Sequence, residues 1–281
     1  MARARSPHDP CCPAAERVSC FGVRFEVGSA SSTLLRKIRT RLPPSNRRTS
    51  AFSVGRRFAI RTPTRRCACG QRHDTIDILV NGHRLTSSAS EGAAIETLRL
   101  LIKQYVAEFA PHRVFVHAGV VAIGGRGVLI PGRSRSGKTT LVAALLRAGA
   151  VYYSDEYAVI GTNGLVRPFP QPLGMRTPGT LDQRDVPATD LGATMGRAPL
   201  RVALVLATQF EPGVTWRPTR LTAAGTVMAM LAHTVGAQRY PKRALSALAA
   251  AASGAIGWRG PRGDADDTAA RIVARLARLD G

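Results

Sequence analysis

The fold is decided by Gly132-Arg133-Ser134-Arg135-Ser136-Gly137-Lys138-Thr139, a stretch that fits the pattern G-x-x-x-x-G-K-[ST] at every fixed position. Glycine-rich loops of this pattern hold phosphate groups on consecutive backbone N–H groups. Lysine is scarce elsewhere, because the chain has only Lys37, Lys103 and Lys242 besides Lys138. The one position of the pattern that needs lysine for a chemical reason therefore has it.

The segments on either side of this stretch supply the expected context. Gly127-Val128-Leu129-Ile130 predicts a short strand that leads into the loop, and the apolar residues 141–146 predict a helix that ends at Gly149. The helix dipole adds about half a positive charge at the loop. The sequence predicts that residues 132–139, together with Thr140, bind the phosphates of a nucleoside triphosphate. Lys138 would contact the β- and γ-phosphates, and Thr139 would bind Mg²⁺. The alternative is a glycine-rich turn with an incidental lysine.

A second signal follows the loop. Residues 150–156 predict a strand that ends in two acids, Asp155 and Glu156. Carboxylates at such a strand end, next to a phosphate loop, are typical of Mg²⁺ ligands and of bases in phosphoryl transfer. The alternative is that both acids only cap a turn.

The 281 residues are enough for two modest domains. The Asn81-Gly82 pair between two apolar runs predicts a type I′ hairpin, and residues 91–110 predict a long amphipathic helix that ends at Pro111. Residues 21–27 predict a strand and residues 32–42 a short helix. We expect a disordered basic tail (1–18), a small α+β N-terminal domain (19–90), a connecting helix (91–111) and an α/β phosphate-loop domain (112–281).

Within the last region the pattern predicts strands at 114–116, 120–123, 128–130 and 201–208. The remainder reads as helical, with helices expected at 223–235, 243–252 and 264–279. The alanine-rich stretch from residue 245 to 258 is too short to span a membrane and indicates a packed helix.

The formal net charge is +22, and residues 1–73 carry sixteen Arg or Lys against three acids. Aromatic residues do not alternate with the basic ones, and no DNA-binding motif is recognisable, so we do not expect specific nucleic-acid binding. An adaptor role for the basic region, toward nucleic acid or an acidic peptide, is a rival reading. With no apolar span of about 20 residues and no signal peptide, the sequence predicts a cytoplasmic protein without a membrane partner.

Five cysteines lie in the first quarter of the chain. Cys67-Ala68-Cys69 with His73 lacks the spacing of most zinc sites, so free thiols are the preferred interpretation and a zinc site is the alternative. The full set is Cys11, Cys12, Cys20, Cys67 and Cys69.

The order and spacing of three segments resemble the catalytic domain of bacterial HPr kinase/phosphorylase. These segments are Phe115-Val116-His117-Ala118-Gly119-Val120-Val121, the phosphate-loop motif and Tyr153-Ser154-Asp155-Glu156. Because that family resembles phosphoenolpyruvate carboxykinase in its nucleotide-binding core, the resemblance implies an α/β phosphate-loop core of this type. It covers about residues 112–177.

The resemblance also implies roles for individual residues. Lys138 and Thr139 match the phosphate and Mg²⁺ positions, Asp155 matches the base beside the acceptor hydroxyl, and His117 matches a histidine beside the phosphates. Glu156 matches the second acid, where the family has Asp. The family's later Glu and Arg-Gly signature has no counterpart, so a phosphorylase reaction is not implied. Arg133, Arg135 and Arg176 are candidates for neutralising charge on the transferred group.

The leading hypothesis is a serine kinase that uses ATP and Mg²⁺ to phosphorylate a hydroxyl of a peptide or small protein. The resemblance further implies a homo-oligomer, because the family is commonly oligomeric. The alternative is a nucleotide-binding regulatory module that hydrolyses its nucleotide slowly or not at all.

Overall fold

The computed structural model describes residues 12–43, 46–47, 53–63, 74–133, 136–176 and 183–278. The chain divides into two compact units, Met1–Pro111 and His112–Gly281. Both combine helices with β-sheet, so the protein is a mixed α/β structure. None of the helices in these ranges is both long and apolar enough to span a membrane.

In its described residues, the first unit has one six-stranded sheet and two helices. In spatial order the strands are β3-β1-β2-β4-β5-β6, and all neighbours pair antiparallel except β2 and β4. The elements are β1 (Ala14–Cys20), β2 (Val23–Ser29), α1 (Ser32–Arg39), β3 (Asn46–Arg47), β4 (Arg56–Arg61), β5 (Ile76–Val80), β6 (His83–Ser88) and α2 (Glu91–Phe109).

Two tight turns organise the antiparallel pairs of this sheet. Asn81 and Gly82 have φ of +53° and +83° between β5 and β6, so the hairpin expected from Asn-Gly is present. Phe21 and Gly22 have φ of +48° and +85° and join β1 to β2 in the same way. The strand expected over 21–27 therefore starts only at Val23, because the glycine allows a turn that the alternating pattern concealed.

Two further expectations for this region need correction. Strand β1 starts at Ala14 and pairs with β2 along its whole length, so residues 14–18 are not part of a disordered tail. The helix expected as a connector, α2, belongs to the first unit and contacts β4 and β5. As expected for reduced thiols, Cys12 and Cys20 are buried and are not part of a disulfide, whereas Cys11, Cys67 and Cys69 lie outside the described residues.

The second unit contains a larger sheet between two layers of helices. Its spatial order is β11-β10-β7-β8-β14-β16-β15, and β9 also pairs with β7. Strands β8, β14 and β16 run parallel to one another. The elements are β7 (Arg113–Ile123), β8 (Arg126–Pro131), α3 (Lys138–Arg147), β9 (Val151–Ser154), β10 (Tyr157–Gly161), β11 (Val166–Arg167), β12 (Leu173–Arg176), β13 (Gln183–Val186), a 3₁₀ turn (Ala188–Leu191), β14 (Val202–Ala207), β15 (Thr219–Leu221), α4 (Ala223–Leu231), α5 (Pro241–Ala252), β16 (Ile256–Arg259) and α6 (Ala265–Ala277).

The alternation of side chains along β8 shows how the two layers are built. Val128 and Ile130 join the apolar cluster formed with α3 and α6, whereas Leu129 joins the cluster formed with α4 and α5. A strand with period two that is apolar on both faces must be covered on both faces. Strand β8 therefore lies between two packed layers, and the motif loop (residues 132–139) follows directly from it.

The strand and helix predictions for this unit are only partly correct. The segments expected at 114–116 and 120–123 form one continuous strand, β7, because His117, Ala118 and Gly119 keep extended pairing. The final region is not wholly helical, since β15 and β16 lie within it. Residues 256–259 were expected in a helix, but they pair with β14 as an inner strand of the sheet.

One buried carboxylate in the first unit carries an unusual number of hydrogen bonds. Asp77 on β5 is 2% exposed and accepts hydrogen bonds from Arg61 (2.7 Å), Thr75 (2.6 Å) and Ser87 (2.7 Å). Burial alone raises the pKa of Asp77, but these donors outweigh it and lower the pKa to about 2. The ionised carboxylate therefore links β4, β5 and β6.

Replacing Asp77 with alanine should lower the free energy of unfolding of the first unit by about 3 kcal/mol, because Arg61 is left without its buried partner. Hydrogen exchange of the β4 and β5 amides under native conditions would report the loss separately for this unit. The control is Glu91→Ala, which removes an exposed ion pair with Lys37 (2.6 Å) and should cost less than about 1 kcal/mol.

The same carboxylate gives a pH dependence with a defined sign. Its folded pKa lies below the unfolded value of about 3.9, so its stabilisation is present above about pH 4 and is lost as the pH falls toward 2. Equal acid sensitivity of the native protein and Asp77→Ala would contradict this assignment.

Candidate functional site

The motif loop, residues 132–139, lies between β8 and α3. Strand β8 ends at Pro131 and helix α3 begins at Lys138, so the order strand, loop and helix is as the motif requires. Ser134 and Arg135 lie outside the described residues. Thr140 follows in the first turn of α3 and is exposed.

Gly137 is the residue that turns the loop into the helix. Its φ is +83°, and a Cβ at this position would lie 2.5 Å from Nη2 of Arg262. As the N-cap of α3 it has no side chain to accept from the first backbone N–H groups of the helix. The positive end of the helix dipole therefore faces the motif loop.

Lys138, at the end of the motif loop, bonds back to the start of the loop. Its Nζ donates to the backbone oxygen of Arg133 at 2.8 Å. Burial lowers the pKa of Lys138, while the charges of Asp155 and Glu156 oppose that change. The ammonium group is thus bonded to the loop and lies close enough to both acids to interact with their charges.

The two acids occupy a break in strand pairing. Strands β9 and β10 follow one another along β7, with Ser154 opposite Val120 and Tyr157 opposite His117. Asp155 and Glu156 lie between them. The Ser154 hydroxyl oxygen accepts from the backbone N–H groups of Glu156 (3.2 Å) and Tyr157 (3.1 Å), and this fixes the break. The strand end predicted from the sequence is therefore a kink between two strands, and it places the acids beside the motif loop.

Asp155 is the more deeply buried of the two acids. Burial raises its pKa to about 7, with a further contribution from Glu156, against the lowering effects of a hydrogen bond from Thr139 and the charge of Lys138. Its Oδ1 is buried and, among the described residues, has no hydrogen-bond partner. Thr139 therefore bonds to the carboxyl group, and Oδ1 keeps hydrogen-bonding capacity.

Gly119 makes room for this arrangement. A Cβ there would lie 2.5 Å from Cγ2 of Val142 in α3 and 3.8 Å from Oδ1 of Asp155. Glycine thus allows α3 to pack closely on β7 while the Asp155 carboxyl faces the same place. In the sequence this glycine is recognisable only as part of the His117-Ala118-Gly119 run.

His117 lies at the start of the motif loop. Its backbone oxygen accepts from the N–H of Gly132 (3.1 Å), and its own N–H donates to the backbone oxygen of His233 (2.8 Å). The imidazole packs on Tyr157 with ring centres 4.6 Å apart. The structure therefore brings the backbone of His117 beside the loop and places His233 next to it. Burial and the charges of Lys138 and Arg133 lower the pKa of His233, which favours the neutral imidazole.

Besides His233, the site contains a further residue that the sequence does not reveal, Arg262. Its side chain is 2% exposed, and Nη2 donates to the backbone oxygen of Gly137 at 2.6 Å while Nη1 donates to that of Gly263 at 2.9 Å. Because 125 residues separate Arg262 from Gly137, no local pattern marks this contact.

The arginines named from the sequence occupy other places. Arg133 lies in the motif loop and is exposed, and Arg135 is outside the described residues. Arg176 is exposed at the end of β12, which forms a separate two-stranded sheet with β13. Arg262, which the sequence does not single out, has a hydrogen bond to the backbone of the motif loop.

An open cavity of about 880 Å³ lies against the motif loop. Its walls come from the loop, from the segments that follow β14 and β16, and from the last part of α4 with the residues just after it. The lining residues are Pro131, Gly132, Arg133, Ser136, Ala207, Thr208, Gln209, Phe210, Glu211, Met228, Ala229, Ala232, His233, Arg259, Gly260 and Pro261.

For metal binding, the loop offers a small set of oxygen ligands. Thr139 contributes a hydroxyl next to the carboxyl groups of Asp155 and Glu156. A cluster of three or more His, Cys, Asp or Glu side chains suited to a metal ion is not found among the described residues.

Neither a protein-family model nor a curated protein matches the chain. Among solved structures it is similar to the HPr(Ser) kinase/phosphatase from Coxiella burnetii, at 17% sequence identity and a TM-score of 0.33. The match covers 59% of this chain and 97% of the other.

Gly137→Ala should lower the free energy of unfolding of the second unit, because the new methyl group combines a left-handed φ with a collision at Arg262. The matched control is Gly149→Ala, where φ is +91° but no heavy atom lies within 4 Å of a Cβ. The control should cost about 1 kcal/mol for the strained backbone alone, and Gly137→Ala at least about 1 kcal/mol more. Urea denaturation of the three proteins measures the difference, and equal losses would contradict the packing described for Gly137.

Proposed function

We propose that the protein is an ATP-dependent kinase that transfers the γ-phosphoryl group to a hydroxyl of a peptide or small protein. One observation carries the proposal. The N-terminus of α3, Lys138 and the buried carboxyl of Asp155 converge, with Thr139 bonded to that carboxyl. A phosphate loop with a carboxylate of unused hydrogen-bonding capacity beside it fits a substrate hydroxyl next to a terminal phosphate.

The loop fits the phosphates of a nucleotide. Backbone N–H groups at the start of α3 and the ammonium of Lys138 provide donors and positive charge in one place. The hydroxyl of Ser136 is buried without a hydrogen-bond partner in the described part of the chain. A polar group left in this state favours a ligand oxygen at the loop, because an unpaired buried hydroxyl is costly.

The oxygen ligands fit Mg²⁺, which usually binds one or two carboxylates together with substrate phosphates. Thr139 would hold it with its hydroxyl, and Asp155 and Glu156 with carboxylate oxygens. When bound, the ion would neutralise charge that develops on the phosphate oxygens.

Asp155 would act on the acceptor. Its Oδ1 accepts a hydrogen bond from the acceptor hydroxyl and takes the proton as the acceptor oxygen bonds to the γ-phosphorus, while the bond to the bridging oxygen of ADP breaks. The hydrogen bond from Thr139 to the same carboxyl group keeps the base beside the first turn of α3. Lys138 leaves the Arg133 oxygen to bind the phosphates, and His117 would stay at the rim of the loop through its backbone bonds.

The choice of a serine in a peptide or small protein depends on the sequence resemblance to HPr kinase/phosphorylase. The geometry itself fits any hydroxyl that reaches Asp155. A regulatory nucleotide-binding module would use the same loop without needing that carboxylate for chemistry, so the two functions make different predictions for Asp155.

Lys138→Ala and Asp155→Asn should separate binding from transfer. Lys138→Ala removes the charge at the phosphates and should reduce phosphoryl transfer by at least about 100-fold with weaker ATP binding. Asp155→Asn keeps the shape of the carboxyl group but removes its basicity, so transfer should fall by about 10²- to 10⁴-fold while ATP affinity changes little. Incubation with γ-labelled ATP and the products of neighbouring genes measures transfer, and titration calorimetry measures binding.

The matched control is Lys242→Ala, which removes an exposed lysine at the start of α5. It should retain native binding and transfer. Native protein that binds ATP but labels no acceptor, with Asp155→Asn indistinguishable from it, would instead identify a regulatory module. Full transfer by Lys138→Ala would show that the motif loop is not the site.

A further inference from the structure

The cavity beside the motif loop is larger than the loop itself requires. Its volume of about 880 Å³ lies within the range of about 300–1,000 Å³ typical of small-molecule sites. The loop contributes only Gly132, Arg133, Ser136 and the preceding Pro131 to the lining. Most of the wall belongs to segments that the proposed phosphate chemistry does not use.

The order of strands defines where the cavity lies relative to Asp155 and the motif loop. Strand β7 lies on one side of β8, and Asp155 lies at the break between β9 and β10, the two strands that follow one another along β7. On the other side of β8 lie β14 and then β16. The parallel strands β8, β14 and β16 all end at the same edge, where ligands of α/β sheets bind. If the γ-phosphate faces Asp155, the remainder of the nucleotide extends over the ends of β14 and β16, where this cavity is.

Phe210 is the main aromatic side chain of this wall. It is 50% exposed, although a large apolar side chain in a cavity usually gains by burial. The backbone N–H of Phe210 donates to the backbone oxygen of Ser136 at 3.3 Å, and this bond fixes Phe210 against the motif loop. The Arg262 guanidinium lies over the ring, 5.6 Å from its centre. The ring is therefore supported by the protein and still has accessible surface in the cavity.

We propose that the cavity binds the nucleoside part of the nucleotide, with the base stacked on Phe210. This subsite rests on the proposed function, because it assumes that the motif loop binds the phosphates. The polar side chains on the same wall suit this ligand. Gln209 is exposed and offers an amide donor and acceptor to the edge of a base, and Arg133 and Arg259 outnumber the single acid, Glu211.

The test compares ATP with inorganic tripolyphosphate, which has the phosphates but no nucleoside. Phe210→Ala should weaken ATP binding about tenfold or more, since stacking on an aromatic side chain contributes about 1–3 kcal/mol per base. Tripolyphosphate binding should be unchanged. Phe210→Trp keeps a stacking surface and should retain native ATP affinity. Titration calorimetry with Mg²⁺ present measures the affinity of the native protein and of both variants for each ligand.

Leu245→Ala is the matched control, because Leu245 is another exposed apolar residue of the second unit, on α5 and outside the cavity. It should bind both ligands as the native protein does. If Phe210→Ala weakens both ligands equally, Phe210 supports the loop and the subsite is wrong. If it leaves ATP affinity unchanged, or raises only the KM for a phosphoacceptor, the subsite is also wrong.

Failure of the proposed function gives a different result. In that case the native protein binds neither ATP nor tripolyphosphate, or Lys138→Ala binds both as well as the native protein does. Loss of ATP binding alone in Phe210→Ala, with Lys138→Ala losing both ligands, is the result that supports the subsite.

Discussion

The left-handed backbone at Gly137 is the constraint on which the site depends. It turns the chain from the loop after β8 into α3, and it leaves a space that the Arg262 guanidinium fills. A side chain at this position would have to displace a buried arginine that also packs on Phe210. One glycine therefore links the start of α3, the segment after β14 and the segment after β16, which are distant in sequence.

A second glycine, on the opposite side of β8, also allows close packing. Gly119 lets α3 approach β7 at the point where the pairing of β7 passes from β9 to β10. The two acids lie at that break, and Asp155 reaches Thr139 in the first turn of α3. The carboxyl group is buried because the helix is close, and its raised pKa follows from that burial. Position and chemistry of Asp155 thus have the same structural cause.

Local patterns predicted much of this correctly. The motif, the apolar strand before it and the helix after it are all found where the sequence places them, because each depends on residues within a few positions. The Asn81-Gly82 hairpin is found for the same reason. Long-range packing decided the features that the sequence did not reveal. Strand β16 was read as helix because alanines precede it, and only its pairing with β14 makes it a strand. Arg262 and Phe210 become part of the site only when β14 and β16 lie side by side.

In the function that we propose, the motif loop presents the terminal phosphate of ATP to Asp155. A crystal structure of the protein with Mg²⁺ and a non-hydrolysable ATP analogue tests it most directly. The account predicts that Lys138 leaves the Arg133 oxygen and binds the analogue, that the β-phosphate lies on the N–H groups at the start of α3, and that the γ-phosphate faces Oδ1 of Asp155. An analogue bound away from the motif loop, or with its γ-phosphate directed away from Asp155, would contradict it.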